Sequence, residues 1–102
     1  MQVGDADVEF DKDGFMLEPE RWDDAVASAI AHEEGIAEMS EDHWKIVNFI
    51  REYWKENDLA PPVRLMCTEV GVSVRQIYRL FTSGPARGAC RVAGLPKPDG
   101  CV

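Results

Sequence analysis

Residues 40–58 read SEDHWKIVNFIREYWKEND and predict a helix with one wide apolar face. Ser40 is a preferred N-cap residue, because its hydroxyl can accept a hydrogen bond from a backbone N–H of the first turn. We expect the helix to end at Asn57-Asp58 and its aromatic residues to pack in a core. The apolar face comprises Trp44, Val47, Ile50, Tyr53 and Trp54, beside the polar residues Lys45, Arg51 and Lys55.

Four further helices are predicted around this one from apolar periodicity and from helix start and stop residues. The first begins at Pro19-Glu20, carries Trp22 on its apolar face and ends at Gly35. Each of the others follows a proline or a serine cap and ends near a glycine or an aromatic residue. Their ranges are 63–70, 74–81 and 85–93, and Gly94 is the expected C′ residue of the last one.

The N-terminal segment predicts β structure. Residues 7–17 read DVEFDKDGFML, in which apolar and acidic residues alternate before the turn dipeptide Asp13-Gly14. Gln2-Val3 adds a third short strand, with Gly4-Asp5 as the earlier turn. The predicted fold class is therefore α+β, with an N-terminal β-hairpin or three-stranded meander packed on about five helices. Two of these helices, 63–70 and 74–81, form a helix-turn-helix-like pair.

The size and charge of the chain favour one acidic domain. Its 102 residues are 45% hydrophobic, which suits a single core, and we expect a globular domain over 1–94 followed by a mobile arm over 95–102. The net charge is −8, but residues 1–58 hold 5 basic and 17 acidic side chains, whereas residues 59–102 hold 6 and 2. Overall acidity disfavours nonspecific binding to nucleic acid. No export signal and no run of about 18 apolar residues is present, so we expect a cytoplasmic protein without membrane insertion.

The last eight residues, LPKPDGCV, predict an extended arm that presents a thiol. Two prolines remove backbone donors and favour polyproline II geometry. Seven residue steps separate Gly94 from Cys101, so the thiol can reach about 23 Å from the end of the last helix. A turn at Asp99-Gly100 can instead bring Cys101 back towards Cys90 on that helix. Extended delivery and retracted resolution are the two states expected of a thiol carrier.

Charged residues near the two cysteines are candidate helpers. Arg87 and Arg91 flank Cys90 in sequence and favour a thiolate or an anionic sulfur species there. Lys97 on the arm is expected to steer it into an acidic channel mouth. Arg64, after two prolines, is a candidate site for an anion or for the retracted arm.

Residues 84–102, GPARGACRVAGLPKPDGCV, resemble the C-terminal signature of the DsrC/TusE family. The likeness extends over nearly the whole chain. It includes the Asp-Gly-Phe turn at 13–15, Trp22, the EDHW helix start at 41–44, APPVR at 60–64 and IYRLF at 77–81. The TusE branch, which relays sulfur towards tRNA thiolation, generally keeps only the penultimate cysteine. The presence of both Cys90 and Cys101 therefore resembles the DsrC branch.

The resemblance implies a sulfur carrier that serves as co-substrate of dissimilatory sulfite reductase and is not itself an enzyme. Cys101 would enter the channel formed by the alpha and beta subunits towards their sirohaem and accept sulfur as a persulfide. Cys90 would then join it in a disulfide or trisulfide, which a membrane-bound reductase complex reduces. Sulfurtransferases are the partners implied for a persulfide relay, and no cofactor is expected on this chain.

The sequence also contains features of other classes of function. The helix pair at 63–81 carries Arg75 and Arg79 on its second helix, so a helix-turn-helix DNA-binding regulator is the main alternative. A zinc site built from His32, His43 and Cys67 lacks short paired ligand spacing, and Cys67 is expected to be a core residue. A thiol oxidoreductase would require a Cys-x-x-Cys motif, which the sequence lacks.

Overall fold

The computed structural model describes residues 2–3, 6–12 and 14–96, and most of them are helical. A single turn of 3-10 helix precedes the first α-helix, and a π-helix lies near the end of the described chain. The π-helix is labelled α5, and its helical backbone continues through Arg91 and Val92 before the chain leaves it. The elements are the 3-10 turn Pro19–Arg21, α1 (Asp24–Glu33), α2 (Glu41–Asn57), α3 (Val63–Val70), α4 (Val74–Leu80) and α5 (Pro85–Cys90).

The prediction of an α+β fold is wrong, because the structure is mainly helical and has no β layer in its described part. Extended pairing there is limited to two antiparallel strands of two residues each, β1 (Gln2–Val3) and β2 (Ala6–Asp7). An isolated bridge joins Phe10 and Met16. The two strands form a two-stranded sheet of four residues, which is not the predicted hairpin over 7–17 or a three-stranded meander.

The described residues of the segment 7–17 pair at only a few positions where a hairpin was predicted. The Leu17 N–H donates to the Glu9 carbonyl at 3.1 Å, so residues 9 and 17 meet. Regular strands fail because Phe15 and Met16 are consecutive and both buried. A strand with one buried face requires alternation, which two adjacent buried residues break. Asp13 and the predicted turn at 4–5 lie outside the described residues.

Helix α2 lies at the centre of the fold and packs against α3 and α5. Val47 and Ile50 of the predicted face are buried, and Trp44 and Trp54 pack partly buried against the core. Ile46 is also buried, although it was not predicted. Ser40 is the N-cap, as predicted, and its hydroxyl accepts from the His43 N–H. The helix ends at Asp58, which has a left-handed φ of 60°.

His43 also ties the start of α2 to the end of α4. The Ser40 N–H donates to Nδ1 of the ring at 2.9 Å, so Nδ1 must be the unprotonated nitrogen. The proton then resides on Nε2, which donates to the Leu80 carbonyl at 2.9 Å. The ring also meets the edge of Phe81, with centroids 5.2 Å apart. This bridge was not predicted from the sequence.

Helix α1 begins later than predicted. Asp23 is its N-cap and accepts a hydrogen bond from the Val26 N–H at 2.9 Å. This cap fixes the helix start at Asp24, because the preceding Trp22 has extended backbone angles. Trp22 therefore lies outside α1, and its side chain is free to contact a different part of the molecule.

Helices α3 and α4 form the predicted helix-turn-helix-like pair. Gly71 ends α3, and Ser73 starts α4 in a reciprocal capping box with Gln76. Met66 and Ile77 bury the inner faces of the pair. No helix in the described ranges is both long enough and apolar enough to span a bilayer.

Candidate functional site

Cys90 lies in the last turn of α5 and is only 3% exposed. Its neighbours Ala89 and Val92 are fully buried as well, so α5 presents this side of the helix to the core. The helix is sufficiently close to α2 to pack against it. The sequence predicted the helical position of Cys90, and the structure adds that its side chain is enclosed.

The chain leaves α5 through a Schellman motif. The Leu95 N–H donates to the Cys90 carbonyl at 3.2 Å, and the Gly94 N–H donates to the Arg91 carbonyl at 2.9 Å. Gly94 has a left-handed φ of 73°, which confirms it as the C′ residue. Leu95 is 1% exposed and belongs to the core cluster. Leu95, the first residue of the predicted arm, is thus packed in the core, and the arm itself stays a prediction.

Two side chains from elsewhere in the sequence bind the carbonyls at this helix end. Trp22 Nε1 donates to the Val92 carbonyl at 2.8 Å. Arg51 Nη1 donates to the Ala93 carbonyl at 3.1 Å and to the Pro19 carbonyl at 3.3 Å. The last carbonyls of a helix lack partners within the helix, so these donors satisfy groups that would otherwise be unpaired.

Arg51 was predicted to lie beside the apolar face of α2, but the structure buries it within that face. Its side chain is 8% exposed and lies between two tryptophans, with Cζ 4.4 Å from the Trp22 ring centroid and 5.4 Å from that of Trp54. Burial lowers the pKa of the guanidinium. The sequence contained a signal for this position, because residues 44, 47, 51 and 54 follow the three-four spacing of a helix stripe that faces a core.

Arg91 binds groups on two other segments. Its Nε donates to the Gly14 carbonyl at 2.9 Å, and its Nη1 forms an ion pair with Glu34 at the end of α1. Ser83 donates to the other oxygen of the same carboxylate at 2.6 Å. Arg91 therefore joins α5 to the loop over 7–17 and to α1. A role for Arg91 in favouring a thiolate at Cys90 stays a prediction.

The remaining predicted site residues lie apart from this cluster or beyond what is described. Arg64 is exposed at the start of α3. Arg87 lies within α5 and is described as backbone only. Lys97, Cys101 and the rest of the predicted arm after Pro96 lie outside the described residues. Their functions stay predictions.

The alternative sites are placed as follows. Arg75 and Arg79 are exposed on α4, while DNA binding stays a prediction. Cys67 is half-buried and packs against the core. Within residues 2–3, 6–12 and 14–96, no group of three or more His, Cys, Asp or Glu side chains is arranged to hold a metal ion.

Comparisons with known proteins agree over nearly the entire chain. The family model described as "DsrC like protein" matches residues 2–102. The gamma subunit of the dissimilatory-type sulfite reductase of Nitratidesulfovibrio vulgaris is 45% identical over 94 residues, covering 92% of this chain and 90% of the relative. The sulfurtransferase TusE of Salmonella paratyphi A is 40% identical over 104 residues, covering 94% of each chain.

A comparison with solved structures finds similar folds in proteins of the same kind. The solution structure of the Pyrobaculum aerophilum DsrC/gamma subunit of dissimilatory sulfite reductase superposes with a TM-score of 0.86 at 51% identity, covering 100% of this chain and 93% of that one. Sequence and fold thus agree with the resemblance that was found in residues 84–102. The chain belongs to the DsrC-like protein family.

Proposed function

We propose that this chain is a sulfur carrier and protein co-substrate of a dissimilatory sulfite reductase. Cys101 is the sulfur acceptor and Cys90 the resolving thiol. The names of the relatives associate the family with sulfite reductase and with sulfur transfer. The observation that supports the proposal most directly is the position of Cys90 on α5, because the chain leaves this helix at Leu95 and continues into the segment that contains Cys101.

The burial of Cys90 favours different roles for the two thiols. A thiol that is 3% exposed cannot enter the cleft of a partner enzyme, so it is suited to reaction with a sulfur brought from the same chain. Cys101 lies six residue steps after Leu95, which in an extended chain gives it a reach of about 20 Å from that buried residue. Cys101 therefore exchanges sulfur with partners, and Cys90 reacts only with what Cys101 returns.

The proposed reductive cycle balances in two steps. In the first, sulfite, the two thiols, two electrons and four protons give a trisulfide between Cys90 and Cys101 and three waters. The thiols supply two further electrons, and the partner enzyme with its sirohaem supplies the other two. In the second, a membrane-bound reductase complex delivers four electrons and four protons, which regenerate both thiols and release hydrogen sulfide. The chain is consumed and regenerated in the cytoplasm, as a co-substrate is, and we do not assign it an enzymatic activity.

Charged residues contribute to this proposal in different ways. Lys97 lies on the arm and would favour entry into an acidic channel, and exposed Arg64 would meet an anionic partner surface. Arg87 is a candidate for stabilising an anionic sulfur at Cys90. Arg91 contributes less charge there, because Glu34 offsets it.

A second candidate is a persulfide relay towards tRNA thiolation. It is supported by relatives named sulfurtransferase TusE at 40% identity. In such a relay Cys101 would pass its terminal sulfur to the next thiol, and Cys90 would be dispensable. The two candidates therefore differ in whether Cys90 is needed.

The test is intact-mass analysis after incubation with sulfite reductase, sulfite and a reductant. The unsubstituted chain should gain one sulfur atom and lose two hydrogens. Cys101→Ser should gain nothing, and Cys90→Ser should not form the internal bridge. Cys67→Ser is the matched control on α3 and should load normally. Loading of Cys101→Ser, or bridge formation without Cys90, would contradict the assignment, and a persulfide that is passed on equally well without Cys90 would favour the relay.

A further inference from the structure

Two side chains donate hydrogen bonds to the C-terminal end of α5. Trp22 Nε1 and Arg51 Nη1 donate to the consecutive carbonyls of Val92 and Ala93, at 2.8 and 3.1 Å. Leu95, at the C″ position of the Schellman motif, is buried immediately afterwards. The backbone is therefore fixed over the few residues from which the proposed arm departs.

The burial of the Arg51 guanidinium at this position is energetically unfavourable. Desolvation of a cation is unfavourable, and no carboxylate in the described ranges forms an ion pair with it. Its Nε is buried without a hydrogen-bond partner in the described part of the chain. A methionine could fill similar space between Trp22 and Trp54 at lower cost. Packing alone thus does not explain the arginine.

The interactions that Arg51 does make point to the helix end. Its Nη1 joins the Ala93 carbonyl of α5 to the Pro19 carbonyl of the 3-10 turn, which a methionine could not do. A positive charge near the last carbonyls of a helix is also favoured by the helix dipole. Its stacking on Trp22 holds the indole that donates to Val92. Arg51 and Trp22 therefore both bind the backbone at the C-terminal end of α5.

We propose that Arg51 and Trp22, here called the exit clamp, are positioning residues that set how often Cys101 meets Cys90. This role rests on the proposed function, since it assumes that the two cysteines react with each other. Cys90 and Leu95 are linked by a backbone hydrogen bond of 3.2 Å, so the clamp fixes the resolving thiol and the base of the arm in one frame. When Leu95 is held in place, Cys101 samples a smaller volume around Cys90, and its effective concentration there is higher. When Leu95 is loosely held, the same segment samples a larger volume, and the effective concentration is lower.

The test measures that effective concentration in a glutathione redox buffer. Two protein thiols and one oxidised glutathione give the internal disulfide and two reduced glutathiones, so the equilibrium ratio reports the effective concentration. Trp22→Phe keeps a ring but removes the donor, and we expect it to lower the effective concentration about three- to fivefold, the factor that corresponds to one lost hydrogen bond. Arg51→Lys keeps the charge but loses the planar stack, and we expect a decrease of similar size.

Matched controls separate positioning from general destabilisation. Trp44→Phe makes the same chemical change in another half-buried tryptophan of the core, and Arg75→Lys does so at an exposed arginine; neither should alter the disulfide equilibrium. The rate at which Cys101 reacts with a small alkylating reagent should be the same in all variants, because the substitutions change neither that thiol nor the residues between it and Leu95. Far-UV circular dichroism checks that each variant is folded. If Trp22→Phe does not fold, Arg51→Lys alone tests the proposal.

The outcomes distinguish the two proposals. A parent chain that forms the disulfide, with clamp variants that form it equally well despite lower stability, would overturn the clamp and leave the proposed function intact. A parent chain that forms no bond between Cys90 and Cys101 at any buffer ratio would overturn the proposed pairing and the clamp together. A selective decrease in Trp22→Phe and Arg51→Lys supports both.

Discussion

Replacing Leu95 with alanine tests whether the folded body extends to the base of the arm. The side chain is 1% exposed and packs in the core cluster, next to buried residues of α5. Removing a fully buried leucine side chain costs about 2–5 kcal/mol, because the lost transfer free energy adds to that of the cavity left behind. Leu95 follows the C-terminal end of α5, where neighbours can partly collapse into the space. We therefore expect the lower half of this range, about 3 kcal/mol.

Urea unfolding followed by circular dichroism provides the measurement. With a slope of about 1–3 kcal/mol per molar urea, a loss of 3 kcal/mol lowers the midpoint by about 1–3 M. Leu59→Ala is the matched control, since Leu59 is 55% exposed and its truncation should change the unfolding free energy by less than about 0.5 kcal/mol. The chemical change is identical, so the difference between the two variants reports burial.

The refuting result is equally clear. If Leu95→Ala and Leu59→Ala unfold at the same midpoint, residue 95 does not contribute to the core, and the chain is mobile from Gly94 onwards. The reach of Cys101 would then start one residue earlier, and a clamp on Val92 and Ala93 would have little control over the arm.

Three further substitutions test other parts of the structure. Gly94→Ala should lower the unfolding free energy in urea by more than about 2 kcal/mol, because the new Cβ would overlap the Trp22 ring. The control Gly71→Ala has a similar φ of 83° and open space around it, so it should lose only about 1 kcal/mol. Equal losses in the two variants would refute the close approach of Trp22 to Gly94. His43→Ala should lower the melting temperature by an amount equivalent to about 2–3 kcal/mol, since two hydrogen bonds and a ring contact are lost, and an unchanged melting temperature would exclude the bridge to Leu80. Glu34→Gln should lower the unfolding free energy by about 1–2 kcal/mol and make it less sensitive to salt, because the ion pair with Arg91 is removed; an effect below 0.3 kcal/mol would show that the pair is only incidental.

Local signals in the sequence correctly predicted most helix boundaries. Ser40 and Ser73 cap α2 and α4, and Gly71 and Gly94 adopt the left-handed conformations expected after α3 and α5. Such signals act over about four residues, the span of one helical turn, so they are encoded in short stretches of chain. The cysteine spacing and the family signature are local in the same sense.

Within the described residues, the predicted hairpin is missing for a different reason. Residues 7–17 have the alternation and the turn dipeptide of a hairpin, but Phe15 and Met16 are both buried in the core cluster. A preference for extended structure is weak compared with the free energy of burying two large side chains, so the helical core determined how this segment folds. Periodicity alone could not reveal this, because it does not say what lies opposite the apolar residues.

By itself the sequence determined the helices, their caps, the family and the two thiols of the proposed carrier. Only the tertiary structure decided that Arg51 is buried, that Trp22 leaves α1 and that both bind carbonyls at the end of α5. These contacts join residues 70 and 42 positions apart. Partners so distant in sequence meet only because the helices pack, and packing depends on the shapes of all the core side chains together rather than on any short segment.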